Sequence, residues 1–156
     1  MNKKIISAPA LKKILDRARA KQKIVFTNGC FDLLHSGHVA LLQKAKALGD
    51  ILVLGLNSDR SLAKLKGPKR PLVDEKSRAQ VLAALACVDY VVIFSQDTPK
   101  KLLSLLRPHI LVKGADYKIS EIAGREFALK VVRVRLVQGH STSNLIEKIL
   151  RVYGKK

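Results

Sequence analysis

The chain has no tryptophan, three tyrosines, four phenylalanines, two cysteines, one methionine, and 12 acidic residues against 30 lysines and arginines. Each scarcity removes a class of function. Cys30 and Cys87 lie far apart with no Cys-x-x-Cys spacing, so neither a disulfide framework nor a zinc ribbon can be assembled and both read as reduced thiols. Few aromatics leave no stacking platform for single-stranded nucleic acid. No apolar run approaches the roughly 18 to 20 residues that span a bilayer. The start, MNKKIISAPALKK, lacks the apolar stretch and small-residue cleavage site of a secretory signal. These absences predict a cytoplasmic protein with no membrane partner.

The shortage of acids leaves a formal net charge of +18. Lysine and arginine displace counterions from phosphates, so such a charge invites nucleic acid as a partner. Here, however, it is spread along the whole chain instead of being gathered in one arm or on one helix. The charge therefore reads as a solvated basic surface that attracts anionic substrates, not as a nucleic-acid interface.

What the sequence does contain is a single domain's worth of apolar residues, 47% of 156. Short β-branched runs predict strands at 24–28, 51–57, 90–94, 109–114 and 131–137. Amphipathic spacing predicts helices at 8–21, 39–49, 74–86, 98–108 and 143–153, with the 39–49 helix beginning near Ser36. Asp74 and Thr98 are candidate caps, and Pro108 closes its helix. The alternation predicts an α/β single domain: a Rossmann-like, doubly wound parallel sheet of about five strands with helices on both faces. The segment 63–73, AKLKGPKRPLV, reads as a loop because its two prolines and glycine disfavour a regular element.

In such sheets ligands bind beyond the carboxyl ends of the strands. The stretch FTNGCFDLLHSGHVALL, residues 26–42, falls on one such end and carries His35 and His38 around Ser36-Gly37. A metal pair would need further ligands, yet His109 and His140 lie in separate segments and no Cys or Glu has zincin spacing. A core pair would need partners for its ring nitrogens. An anion reading uses every residue: the amides of a helix start favour phosphate, and Gly37 permits close approach. The i, i+3 spacing sets both imidazoles on one side of the first turn.

The His35-Ser36-Gly37-His38 motif, with its surroundings TNGCFDLLHSGHVALLQKAKALGD, resembles the nucleotidyltransferase superfamily marked by His-x-Gly-His after the first strand. The segments VLGLNSDRSLAKLKGPKRPLV, ALACVDYVVIFSQDTPKKLLSLLRPHILVKGADYKISEIAG and GHSTSNLIEKI extend the likeness from Lys23 to Leu150. KGPKRP and VKGADY, in that order, resemble the heptose 1-phosphate adenylyltransferase branch. The stretch GREFALKVVRVRLV is shorter than its usual counterpart there. Residues 1–22 are expected to form an N-terminal basic helix, and the resemblance implies 23–156 as a nucleotidyltransferase domain. It also implies a stand-alone form whose sugar phosphate comes from a separate kinase.

The implied reaction moves AMP from ATP to D-glycero-β-D-manno-heptose 1-phosphate. Alternatives are a glycerol-3-phosphate cytidylyltransferase of the same fold and a non-catalytic nucleic-acid-binding domain. An ionised sugar phosphate needs no general base, so the implied role of His35 and His38 is to donate hydrogen bonds to the α-phosphate and bridging oxygens. By motif matching, Thr27, Asn28, Gly29, Cys30, Phe31 and Gly37 line the phosphate and ribose side, and Lys113, Gly114, Asp116 and Tyr117 the base. Ser141, Thr142 and Ser143 hold a phosphate or serve as an N-cap. Lys64 or Lys66, and Lys69 or Arg70, fold over the triphosphate or stay solvated, and Arg78 contacts phosphate. Asp32 orients an imidazole or caps the turn. Mg²⁺ accompanies ATP, held by phosphate oxygens and water and by no protein ligand set. A homo-oligomer is implied as well, with the first helix as a contact surface and the net charge opposing it.

Overall fold

The computed structural model describes residues 3–135 and 141–154. Five strands form one parallel sheet: β1 (Ile24–Gly29), β2 (Ile51–Asn57), β3 (Tyr90–Phe94), β4 (Ile110–Gly114) and β5 (Lys130–Val134), in the order β3-β2-β1-β4-β5. The end of the expected fifth strand, 136–137, and His140 lie outside the described residues. Along β1 the side chains alternate, as a pleated strand requires. Val25 joins Leu42, Leu52, Ala79 and Leu82 in one core, while Ile24 and Phe26 join Leu11, Leu15, Leu103 and Leu106 in the other. Two cores on the two sides of one sheet are why its strands read as nearly continuous apolar runs.

The first core is covered by α2 (Ser36–Lys46) and α4 (Glu75–Ala84), the second by α1 (Ala8–Ala18) and α5 (Lys100–Leu106). Pro9 sits in the first turn of α1, where a missing amide proton costs nothing. Residues 1–22, expected as a separate leading helix, share the domain's core in their described part. Leu11 and Leu15 are fully buried. Beside them Ile6 donates to the Val91 carbonyl at 3.1 Å, and Val91 to the Lys4 carbonyl at 2.9 Å, extending the β3 edge.

Two local expectations change. Residues 59–66 form a helix, α3 (Asp59–Lys66), where composition suggested that the loop began at 63. The Ser58 hydroxyl accepts from the Ser61 amide to start it, and Gly67, at φ 96°, ends it in a conformation that glycine tolerates. Pro99, not Thr98, occupies the N-cap of α5, whereas Asp74 caps α4 by accepting from the Lys76 and Ser77 amides. The last helix, α6 (Thr142–Tyr153), buries none of its residues and leaves Leu150 and Tyr153 largely exposed. No helix of the described residues is long and apolar enough to cross a membrane.

Candidate active site

From β1 the chain winds outward through β2 and β3, then returns to the other side of β1 as β4 and β5. That reversal opens a crevice between the carboxyl ends of β1 and β4, the place where an open α/β sheet receives ligands. A cavity of about 470 Å³ lies there, bounded by the β1–α2 loop, the end of β4 and the start of α6. A neighbouring cavity of about 200 Å³ shares much of its wall and adds Thr27 and Gly114.

The β1–α2 loop is shaped by its own side chains. Phe31 is buried with φ at 46°, a left-handed backbone uncommon outside glycine. A β-carbon on Gly29 would lie 2.9 Å from the Phe31 ring, so the glycine makes room for it. The ring then leans on His38, with centroids 4.9 Å apart, and His38 stacks on His35 at 3.8 Å and 27°. His35 is the N-cap of α2 but offers no side-chain cap, and no acidic residue occupies the first turn. The partial positive charge of the helix start is thus left unneutralised by its own sequence.

Burial, and secondarily the neighbouring His35, push the His38 pKa down to about 4. At neutral pH the ring is an uncharged imidazole. Its Nδ1 and the Asn28 Oδ1 are buried without a hydrogen-bond partner among the described residues. Leaving such atoms unpaired costs about 1–3 kcal/mol each, so a ligand that pairs them recovers that cost. Across the crevice, burial pushes the Lys113 ammonium down to about 8, opposed by Cys30 and Asp116. Its Nζ lies 5.4 Å from the centroid of the Tyr117 ring. Burial likewise raises the Cys30 thiol, outweighing Lys66, Arg78 and Arg70 nearby, and Cys30 lines the wall.

Among the residues named from sequence, His35, His38, Gly37, Lys66, Asn28, Gly29, Cys30 and Phe31 come together in the main cavity. Lys113, Asp116, Tyr117, Ser141, Thr142 and Ser143 complete its far side. Thr27 and Gly114 line the smaller cavity. Ser141 serves as N-cap of α6, accepting from the Asn144 amide at 3.0 Å, while also lining the main cavity.

Lys64 and Arg78 line neither cavity. Lys64 pairs with Asp97 at 2.5 Å in an exposed bridge. Arg78 is buried, donating to the Val73 carbonyl at 2.8 Å, the Cys30 carbonyl at 2.5 Å and Asp59 at 2.7 Å. It ties the β1–α2 loop to the α3–α4 connection, which corrects its expected phosphate contact. Asp32 neither orients an imidazole nor caps its own turn. Its carboxylate accepts from Arg70 and from the Leu72 and Val73 amides at 2.8 and 3.0 Å. His109, set aside from the sequence as a metal ligand, accepts from the Ile24 amide at 2.9 Å in a structural role. Asn57 and Asp97 also reach the cavity, and their places, at the end of β2 and just after β3, were the signal that could have nominated them. Among the described residues no group of three His, Cys, Asp or Glu is placed to hold a metal ion.

The comparisons with known proteins fit this geometry. A family model described as cytidylyltransferase-like matches residues 26–150. The bifunctional protein HldE of Helicobacter pylori strain P12 is 59% identical over 150 residues, covering 96% of this chain and 32% of that protein. HldE of Geobacter metallireducens strain GS-15 is 54% identical over 158 residues, again covering 32% of its length. The chain thus spans about a third of these curated relatives. A lipopolysaccharide core biosynthesis protein from Thermoplasma volcanium superposes with a TM-score of 0.63 at 28% identity, covering 75% of this chain and 99% of that one. Pantoate-beta-alanine ligase from Francisella tularensis, 18% identical with a TM-score of 0.63, covers 94% of this chain and 78% of its own and shares the fold.

Proposed function

We propose that this chain, which belongs to the cytidylyltransferase-like family, transfers AMP from ATP to D-glycero-β-D-manno-heptose 1-phosphate, yielding ADP-heptose and pyrophosphate. The observation that carries the reading is the stacked His35–His38 pair at an uncapped helix start, facing the crevice between β1 and β4. The likeness of KGPKRP and VKGADY to the heptose branch supports the choice of sugar. In this reading the product feeds lipopolysaccharide-core or related glycan synthesis in the cytoplasm.

The sugar phosphate oxygen, already ionised, attacks the α-phosphorus in line with the departing pyrophosphate. Negative charge then grows on the α-phosphate and on the bridging oxygen. Donors held in advance at those positions lower the barrier without reorganising. His38 contacts the rings of Phe31 and His35, which support the imidazole before it donates. Lys66, the amides opening α2 and the hydroxyls of Ser141 to Ser143 surround the same space. The smaller cavity beside Thr27, Gly114 and Tyr117 takes the base.

Magnesium prefers oxygen ligands and keeps much of its water, so it binds phosphate groups with few protein contacts. The cavity's isolated oxygen donors, Asp116 and the hydroxyls at 141–143, fit an ion that arrives with the nucleotide. Bound there, it would neutralise phosphate charge. The reading is tested by pyrophosphate release from ATP and CTP against a panel of sugar and polyol phosphates. Release only with CTP and glycerol phosphate would replace the sugar and the base. No release with any pair, joined to salt-sensitive nucleic-acid binding, would replace the enzyme.

A further inference from the structure

The main cavity is not symmetric about β1. On the β2–β3 side its wall is formed by Asn57, the last residue of β2, by Leu65 near the end of α3, and by Asp97 and Pro99 between β3 and α5. None of these four lines the smaller cavity, which adjoins β1 and β4. In the strand order β3-β2-β1-β4-β5 the ends of β2 and β3 lie across β1 from β4. At about 4.8 Å between neighbouring strands, β3 stands roughly 10 Å from β1 and roughly 14 Å from β4. Asp97 is therefore remote from the base site, and a molecule held at the histidines reaches it only by extending away from β4.

The polar groups of this wall offer acceptors. Asn57 is buried, and its amide nitrogen donates to the Ser61 hydroxyl at 3.0 Å, which holds the carboxamide in place. Asp97 gives Oδ2 to Lys64 in an exposed bridge, and among the described residues nothing pairs Oδ1. Phosphate oxygens are acceptors that carry negative charge, so a carboxylate repels them and pairs instead with a hydroxyl or an N–H. Leu65, about half exposed, and the buried Pro99 add apolar surface beside the two polar groups. Apolar walls with a few placed polar groups are what orients a small ligand. The nucleotide's own donors, its amino group and ribose hydroxyls, belong with the base on the β4 side, which leaves the polyhydroxylated reactant for the β2–β3 side. We propose that this wall is the sugar subsite, and that Asp97 accepts hydrogen bonds from the sugar's hydroxyls and so selects a phosphorylated sugar over a bare phosphate. The assignment rests on the nucleotidyltransferase reading and adds to it the residue that reads the acceptor. It also gives Lys64 a place beside the sugar's carboxylate partner in place of the triphosphate.

The test is steady-state pyrophosphate release by the full chain, with D-glycero-β-D-manno-heptose 1-phosphate and its monodeoxy analogues as acceptors, accompanied by calorimetric titration with the same compounds and with inorganic phosphate. Asp97 is exposed and its bridge contributes little to stability, so its variants keep the fold. Asp97→Ala is expected to raise KM for the sugar phosphate about 10- to 100-fold, the loss of a hydrogen bond to a charged group, while KM for ATP and the affinity for inorganic phosphate stay put. Asp97→Asn, which keeps an acceptor oxygen and loses the charge, should fall between the two. In the wild-type chain at least one deoxy analogue should bind more weakly than the parent sugar, and Asp97→Ala should no longer distinguish that pair. An unchanged KM for the sugar phosphate in Asp97→Ala would overturn the proposal. So would a rise in KM for ATP alone, which would put the nucleotide's ribose or amino group at Asp97, or deoxy penalties that persist undiminished in the variant. A chain that releases no pyrophosphate from any substrate pair would sink the function instead, and the titrations would then decide on Asp97: sugar phosphate affinity lost in Asp97→Ala upholds the subsite, and equal or absent binding in both chains overturns it.

Discussion

Replacing His38 by alanine should separate activity from stability in a way that only a buried, neutral phosphate donor allows. In the folded chain burial and His35 hold this ring near a pKa of about 4, against 6.5 for an unperturbed histidine. The unfolded chain therefore binds the proton more readily. Stability is complete above about pH 6.5 and is lost as pH falls toward 4. At full weight the difference amounts to about 3 kcal/mol; because the ring is partly open to solvent, screening reduces this to about 1–2 kcal/mol. His38→Ala should flatten that acid limb in urea melts between pH 4 and 8. In the same variant, loss of one transition-state donor should lower kcat by about 10² to 10³. Negative phosphates pull the pKa upward, so ATP should raise the His38 midpoint seen by proton NMR in the wild-type protein. Turnover near wild type in His38→Ala, or an unchanged acid limb, would refute the reasoning.

Other expectations follow from the same cavity. Lys113 loses its charge as pH rises through about 8, so ATP affinity should fall above that pH, and Lys113→Met should remove this dependence; identical profiles would exclude the lysine. Gly29→Ala places a methyl 2.9 Å from the Phe31 ring, and the displaced ring should unseat His38, lowering kcat more than it raises KM. Arg78→Met leaves the Cys30 and Val73 carbonyls without their donor and should cost about 1–3 kcal/mol in a urea titration. If Arg78 instead held phosphate, its loss would appear in KM for ATP with the urea midpoint unchanged.

The strands and most helices were legible because their signals are local. Alternation along Ile24 to Phe26 and the Asp74 cap need no knowledge of the rest of the chain. The histidine pair was legible for the same reason, since i, i+3 spacing at a strand-to-helix turn fixes where both rings go. Composition misled at 63–66, where the glycine and two prolines that follow made the whole segment look like loop but the Ser58 cap had already started a helix. The roles of Asp32 and Arg78 were out of reach. Each joins segments roughly 40 to 50 residues apart, and a residue type alone does not say whether a charge faces a ligand or a carbonyl. Arg70 came only as one of several loop cations, because what distinguishes it is the carboxylate that holds it.

The most direct measurement of the central claim is the ³¹P NMR spectrum of the purified chain mixed with ATP, Mg²⁺ and D-glycero-β-D-manno-heptose 1-phosphate. Transfer of AMP predicts loss of the sugar phosphate resonance and growth of two coupled diphosphate resonances, together with free pyrophosphate in equal amount. An ATP spectrum that stays unchanged, while CTP with glycerol 3-phosphate gives the coupled pair, would contradict it.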